Sequence, residues 1–297
     1  MNTTSIYHMS EQVAAESRRR RRMHQVRRGL LYVFLAVFCF VTVFPIYWMI
    51  VSAIQPVQYS LQYPPPLIPQ EINFAPFAKL FDNFPVGSWL LNTIFLAALT
   101  TGLTMILSVL GAYALSTLQH WRGQGIFGFF LLMTQMLPEV LLVIPIYAMY
   151  QRFNMKESLP NLALVDTAFV LPLGVWILKN MFDTIPPEIG DAALVDGCTP
   201  LGVLWRIILP LTTPGMVAVG VVAFFYAWNE YLFAASLITE KGLTPASVGL
   251  ASLRSMIDTP IDRVLAAALF FSIFPVIFYV AVQRYVVAGL SAGAIKG

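Results

Sequence analysis

The sequence predicts an all-α polytopic membrane protein with six transmembrane helices, and three observations carry that prediction. Of its 297 residues 58% are hydrophobic and 11% charged, more apolar surface than a soluble core of this length could hide. Crossing ~30 Å of hydrocarbon takes ~20 helical residues, and six runs suffice: roughly 30–54, 88–118, 126–150, 160–183, 214–238 and 264–288. The basic residues are unevenly spread, with Arg18 to Arg22 in one row and Arg27 and Arg28 just ahead of the first run. With a net charge of only +3, that row reads as positive-inside anchoring rather than as a nucleic-acid patch.

Taken in order, residues 1–29 form a basic cytoplasmic segment, 30–288 the six-span domain and 289–297 a cytoplasmic tail. The first run has an apolar core too long for a signal peptide, and no small-residue cleavage site follows before Gln55, so it is expected to stay attached. With the N-terminus inside, the cytoplasmic segments hold Arg18 to Arg22, Arg27, Arg28, Arg122, Lys179, Arg206, Arg284 and Lys296. The outer segments hold Lys79, Arg152, Lys156, Lys241, Arg254 and Arg263, and this bias places both termini in the cytoplasm. Gln55 to Gly87, which contains YPPPLIP, reads as an outer cap or entrance lip. Pro45, Pro138, Pro145, Pro172 and Pro275 fall inside the runs. Each would cost about 3 kcal/mol in a lone helix, but in a membrane bundle neighbouring helices re-satisfy the freed carbonyls, so kinked, packed helices are expected. Cys39 and Cys198 are the two cysteines, and they carry no disulfide framework.

Between the fourth and fifth runs lies a polar loop, 184–213, that local chemistry divides into helix, sharp turn and helix. Pro186 and Pro187 suit a first helical turn, and Glu188 and Asp191 favour the positive end of the helix dipole. That helix should end near Asp196, with Gly197 as a left-handed cap and Thr199-Pro200 restarting the chain. The second helix, Leu201 to Leu209, is too short to span and should lie along the membrane surface until Pro210 and Pro214 turn the chain inward. Ala192 and Ala193 leave one side of the first helix thin, where another protein could approach closely.

The pattern D-A-A-x-x-D-G-C at Asp191 to Cys198, followed by I-I-L-P at Ile207 to Pro210, resembles the cytoplasmic "EAA" loop of importer-type ABC permeases. Asp191 stands where that family usually has Glu, and Cys198 where it has Ala. The A-W-N-E-Y-L-F-A run at Ala227 to Ala234 and the C-terminal Q-R-Y-V-V-A-G-L-S-A-G-A-I-K-G are similar to the maltose-type second membrane subunit. The resemblance implies a permease of the bacterial-type cytoplasmic (inner) membrane that takes up sugars or oligosaccharides and is not itself an enzyme. ATP and Mg would sit on separate ATPase subunits, with a different second permease and an extracytoplasmic solute-binding protein completing the assembly. It also implies that Glu188, Asp191, Ala192, Ala193, Asp196 and Gly197 form a coupling helix docked on the ATPase. Ser291, Gly293 and Lys296 of the tail would touch the same subunit. Import of another small solute, or secondary transport, are the alternatives.

A sugar path needs polar groups at membrane depth, which are costly unless they face a cavity or each other. Gln135, Glu139, Tyr226, Asn229 and Glu230 are the candidates, with Trp228 offering a ring face beside them. Asp166, near the outer end of its run, is expected at the interface. Gly289-Leu290-Ser291-Ala292-Gly293 fits the G-x-S-x-G hydrolase pattern, but no His follows it in the chain, so no nucleophile elbow is expected. There is no G-x-x-x-x-G-K-[ST] and no metal-ligand spacing, so this chain is expected to bind neither ATP nor a metal.

Overall fold

The computed structural model describes residues 3–60, 62–116, 121–255 and 259–294, with side chains from Met23 to Tyr285. All regular structure among these residues is helical. The chain divides into two units, Met1–Asn73 and Phe74–Gly297.

The first unit holds α1 (Thr3–Ala53) and the short α2 (Val57–Ser60). Pro45 sits inside α1 and the helix continues past it. Met23–Ala53 has a mean hydropathy of 2.5 in its most apolar window, none of it buried within the protein, as suits a helix solvated by lipid.

The second unit comprises α3 (Ala75–Asn83), α4 (Val86–Leu115), α5 (Gln124–Met133), α6 (Glu139–Arg152), α7 (Leu159–Phe182) and α8 (Pro187–Val195). It continues with α9 (Pro200–Val203), α10 (Leu209–Leu211), α11 (Thr213–Trp228), α12 (Leu232–Leu237), α13 (Ala246–Ser255) and α14 (Ile261–Ala294). With the apolar part of α1, α4, α7 and α14 are long and apolar enough to cross a membrane singly. Two bent pairs raise that number of four to as many as six: Gln124–Met136 with Glu139–Arg152, bent by 96°, and Pro200–Leu211 with Thr213–Trp228, bent by 83°.

The centre of this unit is the packing of α4 on α7, and small polar residues make it close. Thr100, Thr104 and Ser108 lie on one face of α4 at spacings of four and are fully buried. Gly174 of α7 faces them, and a Cβ there would stand 2.3 Å from Ser108 Oγ, so only glycine lets the helices approach this far. Asp166 belongs to the same seam. It is completely buried and accepts a long 3.5 Å hydrogen bond from Thr100 Oγ1, so the expected interfacial position is corrected. Two turns into α7, it faces its helical neighbour rather than the membrane surface.

Two expected spans are broken. The third stops at Met133, passes through a 3-10 turn (Thr134–Met136) and restarts at Glu139. Pro138 causes this by forcing Leu137 into an extended conformation (ψ 123°), so it ends one helix instead of kinking it. Pro145, Pro172 and Pro275 do lie inside continuous helices. The fifth run does not continue to residue 238: α11 ends at Trp228, and α12 follows after Asn229–Tyr231. No proline acts here. The Glu230 side chain instead accepts from Phe233 N (2.6 Å) and Ala234 N (3.2 Å), capping a new helix start. The tail expected from residue 289 is helical as far as Ala294, which places Ser291 and Gly293 in α14; Lys296 lies outside the described residues.

Candidate functional site: two helix breaks and a capped turn

The two breaks meet. Tyr226, in the last turn of α11, donates its hydroxyl to Glu139 Oε1 at 2.9 Å, joining it to the first residue of α6. Glu139, Tyr226, Asn229, Glu230 and Tyr231 line an open cleft of about 610 Å³, so four of the five expected path residues come together. Phe225, Asn229 and Tyr231 also border a neighbouring cleft of about 390 Å³ that takes in Trp228 and Ser247. Gln135 is the exception. Its Nε2 donates to the Phe169 carbonyl at 2.7 Å, and it borders a separate, mainly apolar groove with Leu142, Met149 and Phe169. It ties the break to α7 rather than joining the polar cluster.

Each polar member is held locally. Asn229 Nδ2 donates to Phe225 O at 2.7 Å, turning its amide back on α11. Glu230 is 5% exposed, its carboxylate occupied by the α12 amides and its carbonyl accepting from Ser247 Oγ. Ser247 is set by α13, whose own start is pinned where Ala246 N donates to Thr93 Oγ1 at 2.7 Å. Gly249 completes the docking, since its Cα lies so close beneath Trp89 of α4 that a Cβ would fall 2.3 Å from the ring. Sequence reasoning missed Thr93, Ser247 and the α4 seam. The spacing of Thr100, Thr104 and Ser108 was a readable signal for the seam, whereas nothing local pointed to Ser247.

The turn between α8 and α9 has the expected form. Gly197 takes φ +87°, Gly197 N donates to Leu194 O (3.1 Å) and Cys198 N to Ala193 O (3.0 Å), a Schellman cap. Thr199 Oγ1 then accepts from Gly202 N at 3.1 Å and opens the next helix. That helix runs Pro200–Leu211 with a π-turn at Leu204–Ile208, ahead of Pro210, which has no N–H to give. Glu188, Asp191, Ala192, Asp196 and Gly197 are exposed, but Ala193 is only 6% exposed and packs with Val203, Leu204 and Ile208. The thin outer face therefore keeps Ala192 and loses Ala193, because the capped turn folds that side back on the second helix. Ile189, Leu194 and Val195 stand exposed instead, Val195 at 88%.

Among the described residues no cluster of His, Cys, Asp or Glu has the geometry to hold a metal. A helical bundle whose polar groups gather at interrupted spans has the architecture of a permease. Residues 105–291 match the family described as binding-protein-dependent transport system inner membrane component. The chain belongs to that family, the membrane permeases of ABC importers. It is 31% identical over 268 residues to the inner membrane ABC transporter permease protein YcjP of Escherichia coli (strain K12), covering 90% of this chain and 95% of that one. It is likewise 31% identical to the trehalose transport system permease protein SugB of Mycobacterium tuberculosis (strain CDC 1551 / Oshkosh), covering 85% and 92%. In fold it is similar to the crystal structure of a bacterial ABC transporter that imports the acidic polysaccharide alginate, with a TM-score of 0.76, 22% identity and coverage of 88% and 96%.

Proposed function

We propose that this chain is a sugar or oligosaccharide permease subunit with six spans and both termini in the cytoplasm. Glu139, Tyr226, Asn229 and Glu230 form part of its path, and α8 is its coupling helix. The observation that carries the path is the meeting of two helix breaks around one polar cleft of about 610 Å³. Such breaks are tolerated at membrane depth where they line a cavity. The substrate class is supported by the sugar names of relatives such as the trehalose permease SugB. On this reading ATP and Mg bind separate ATPase subunits, which grip Glu188, Asp191, Ala192 and Asp196 together with the exposed Ile189 and Val195. A second permease and an extracytoplasmic binding protein complete the assembly, and Ser291, Gly293 and Lys296 extend toward the ATPase.

Reconstitution with its partners tests the whole reading. ATP-dependent uptake of a radiolabelled sugar from a panel including trehalose and maltose is expected, and a hydrolysis-dead ATPase should abolish it. Uptake that persists would make the chain a secondary transporter. In the same system Asn229→Ala should lower uptake about tenfold, the weight of one buried hydrogen bond made to substrate, with assembly intact. Loss of assembly instead would make Asn229 a helix contact.

Orientation has its own test. Cys198, the half-buried residue after Gly197, should react in the isolated subunit with a membrane-permeant thiol reagent and not with an impermeant one added outside intact cells. External labelling would refute the termini-inside arrangement.

A further inference from the structure

The short helix after the second break is held by a carboxylate at each end, and one of the two lies far from it in sequence. With six residues, α12 is too short to be stable alone, so its contacts decide where it sits. Phe233, Ala234 and Leu237 bury one face, and the Phe233 ring stacks on Phe169 at 5.1 Å. At its start stands Glu230. Just past its end stands Glu157, from the loop between α6 and α7. The Glu157 carboxylate accepts from Thr239 N at 2.8 Å, Glu240 N at 2.9 Å and the Thr239 hydroxyl, while Glu157 N donates to Leu237 O at 3.1 Å.

Three features mark this clasp as more than a surface contact. Glu157 has φ +55°, a backbone conformation that a side-chain-bearing residue avoids unless its surroundings compensate. Its loop is a fixed post: Met155 N donates to Tyr150 O (2.8 Å), Asn161 Nδ2 to Met155 O (2.8 Å) and Lys156 Nζ to the Tyr147 hydroxyl (2.9 Å). Burial pushes the Glu157 carboxyl up, but the Thr239 and Glu240 hydrogen bonds and the Lys156 charge outweigh it and hold the group below the ordinary carboxylate value. The acceptor is therefore ionised at neutral pH, and its hydrogen bonds are charge-assisted.

We propose that Glu157 is a positioning residue for the transport path: it fixes the far end of α12 and, through it, the Glu230 carboxylate and the Asn229–Tyr231 break. This rests on the path reading above. The chain of contact is continuous, from the α6–α7 post through Glu157 to Thr239, along α12, and from its first amides to Glu230. Releasing the clasp leaves α12 attached at its buried face, where Leu237 is 2% exposed, but takes away the acceptor that holds the Thr239 and Glu240 amides just past its end.

The experiment uses the reconstituted complex in a Cys39→Ser/Cys198→Ser background, with a reporter cysteine at Asn229→Cys or Tyr231→Cys and a control at the exposed Lys79→Cys in α3. An impermeant methanethiosulfonate reagent is added outside. Glu157→Ala is expected to speed labelling at both reporters about tenfold while the control is unchanged, since loss of charge-assisted bonds of this kind is worth at least that factor. Glu157→Gln, which keeps one acceptor, should fall between. Equal reporter rates in wild type and Glu157→Ala overturn the proposal, and so does a rise shared by the control, which would mean general loosening. Failure of the path reading shows separately: with Glu157 intact, the transported sugar would not protect the cysteine at 229.

Discussion

Gly249→Ala is expected to unseat α13 from α4 and to cost the bundle much stability for a single added methyl. The new Cβ would lie 2.3, 2.4 and 2.7 Å from Trp89 Cδ2, Cε3 and Cε2. Those atoms belong to a rigid indole that is 5% exposed and held at 6.2 Å from the Phe84 ring, so the conflict has no flexible end to absorb it. Overpacking of this kind costs roughly 1–3 kcal/mol. The functional loss should exceed the stability loss, because α13 carries Ser247, whose hydroxyl holds the Glu230 carbonyl at the second break. Thermal unfolding of the purified complex and uptake in vesicles should therefore both fall, with uptake falling further. Trp89→Leu made together with Gly249→Ala should recover part of both, because the leucine vacates the space the methyl enters. Wild-type stability in Gly249→Ala would refute the close packing.

Gly197→Val should disconnect rather than unfold. No atom lies within 4 Å of a Cβ built at Gly197, so bulk is not the difficulty; the φ of +87° is. A Cβ in that region costs roughly 1–2 kcal/mol, most for a β-branched residue. Relief of that strain would break the Schellman hydrogen bonds to Leu194 and Ala193 and tilt α8 against α9. The expected result is a complex that assembles and accepts its loaded binding protein, while substrate-stimulated ATP hydrolysis and uptake fall together. Gly197→Asn should be mild, since Asn tolerates the left-handed region. Normal stimulated hydrolysis and normal uptake in Gly197→Val would remove α8 from the coupling role.

These two glycines differ in how they could have been found. Gly197 is legible in one dimension. It follows a helix-favouring stretch, lies two residues before Thr-Pro, and sits where its segment must reverse with a positive φ, so neighbours within five residues suffice to identify it. Gly249 looks like any glycine in an apolar helix, and its importance exists only because Trp89, 160 positions away in the chain, lies on top of it. Ala193 shows the same limit inside a segment whose two caps were legible. Composition made it a small residue on a docking helix, but the angle set by the cap turned it inward.

By itself, then, the sequence determined that this is a helical membrane protein, where its apolar runs lie, and the helix–turn–helix with its caps at Gly197 and Thr199. Those properties follow from residues adjacent in the chain: hydrocarbon thickness sets run length, and capping chemistry acts within one turn. Only the tertiary structure decided which runs are interrupted and what the interruptions face. Pro138 ends one helix and Glu230 caps the start of another, yet the meaning of both breaks lies in the Tyr226–Glu139 bond that joins them and in the burial of Asp166 against Thr100. Glu157 and Thr239, 82 residues apart, carry no mark that they will pair. A hydrogen bond or a close van der Waals contact depends on position to within a few tenths of an ångström, and for residues on different helices only the packing of the whole bundle supplies that.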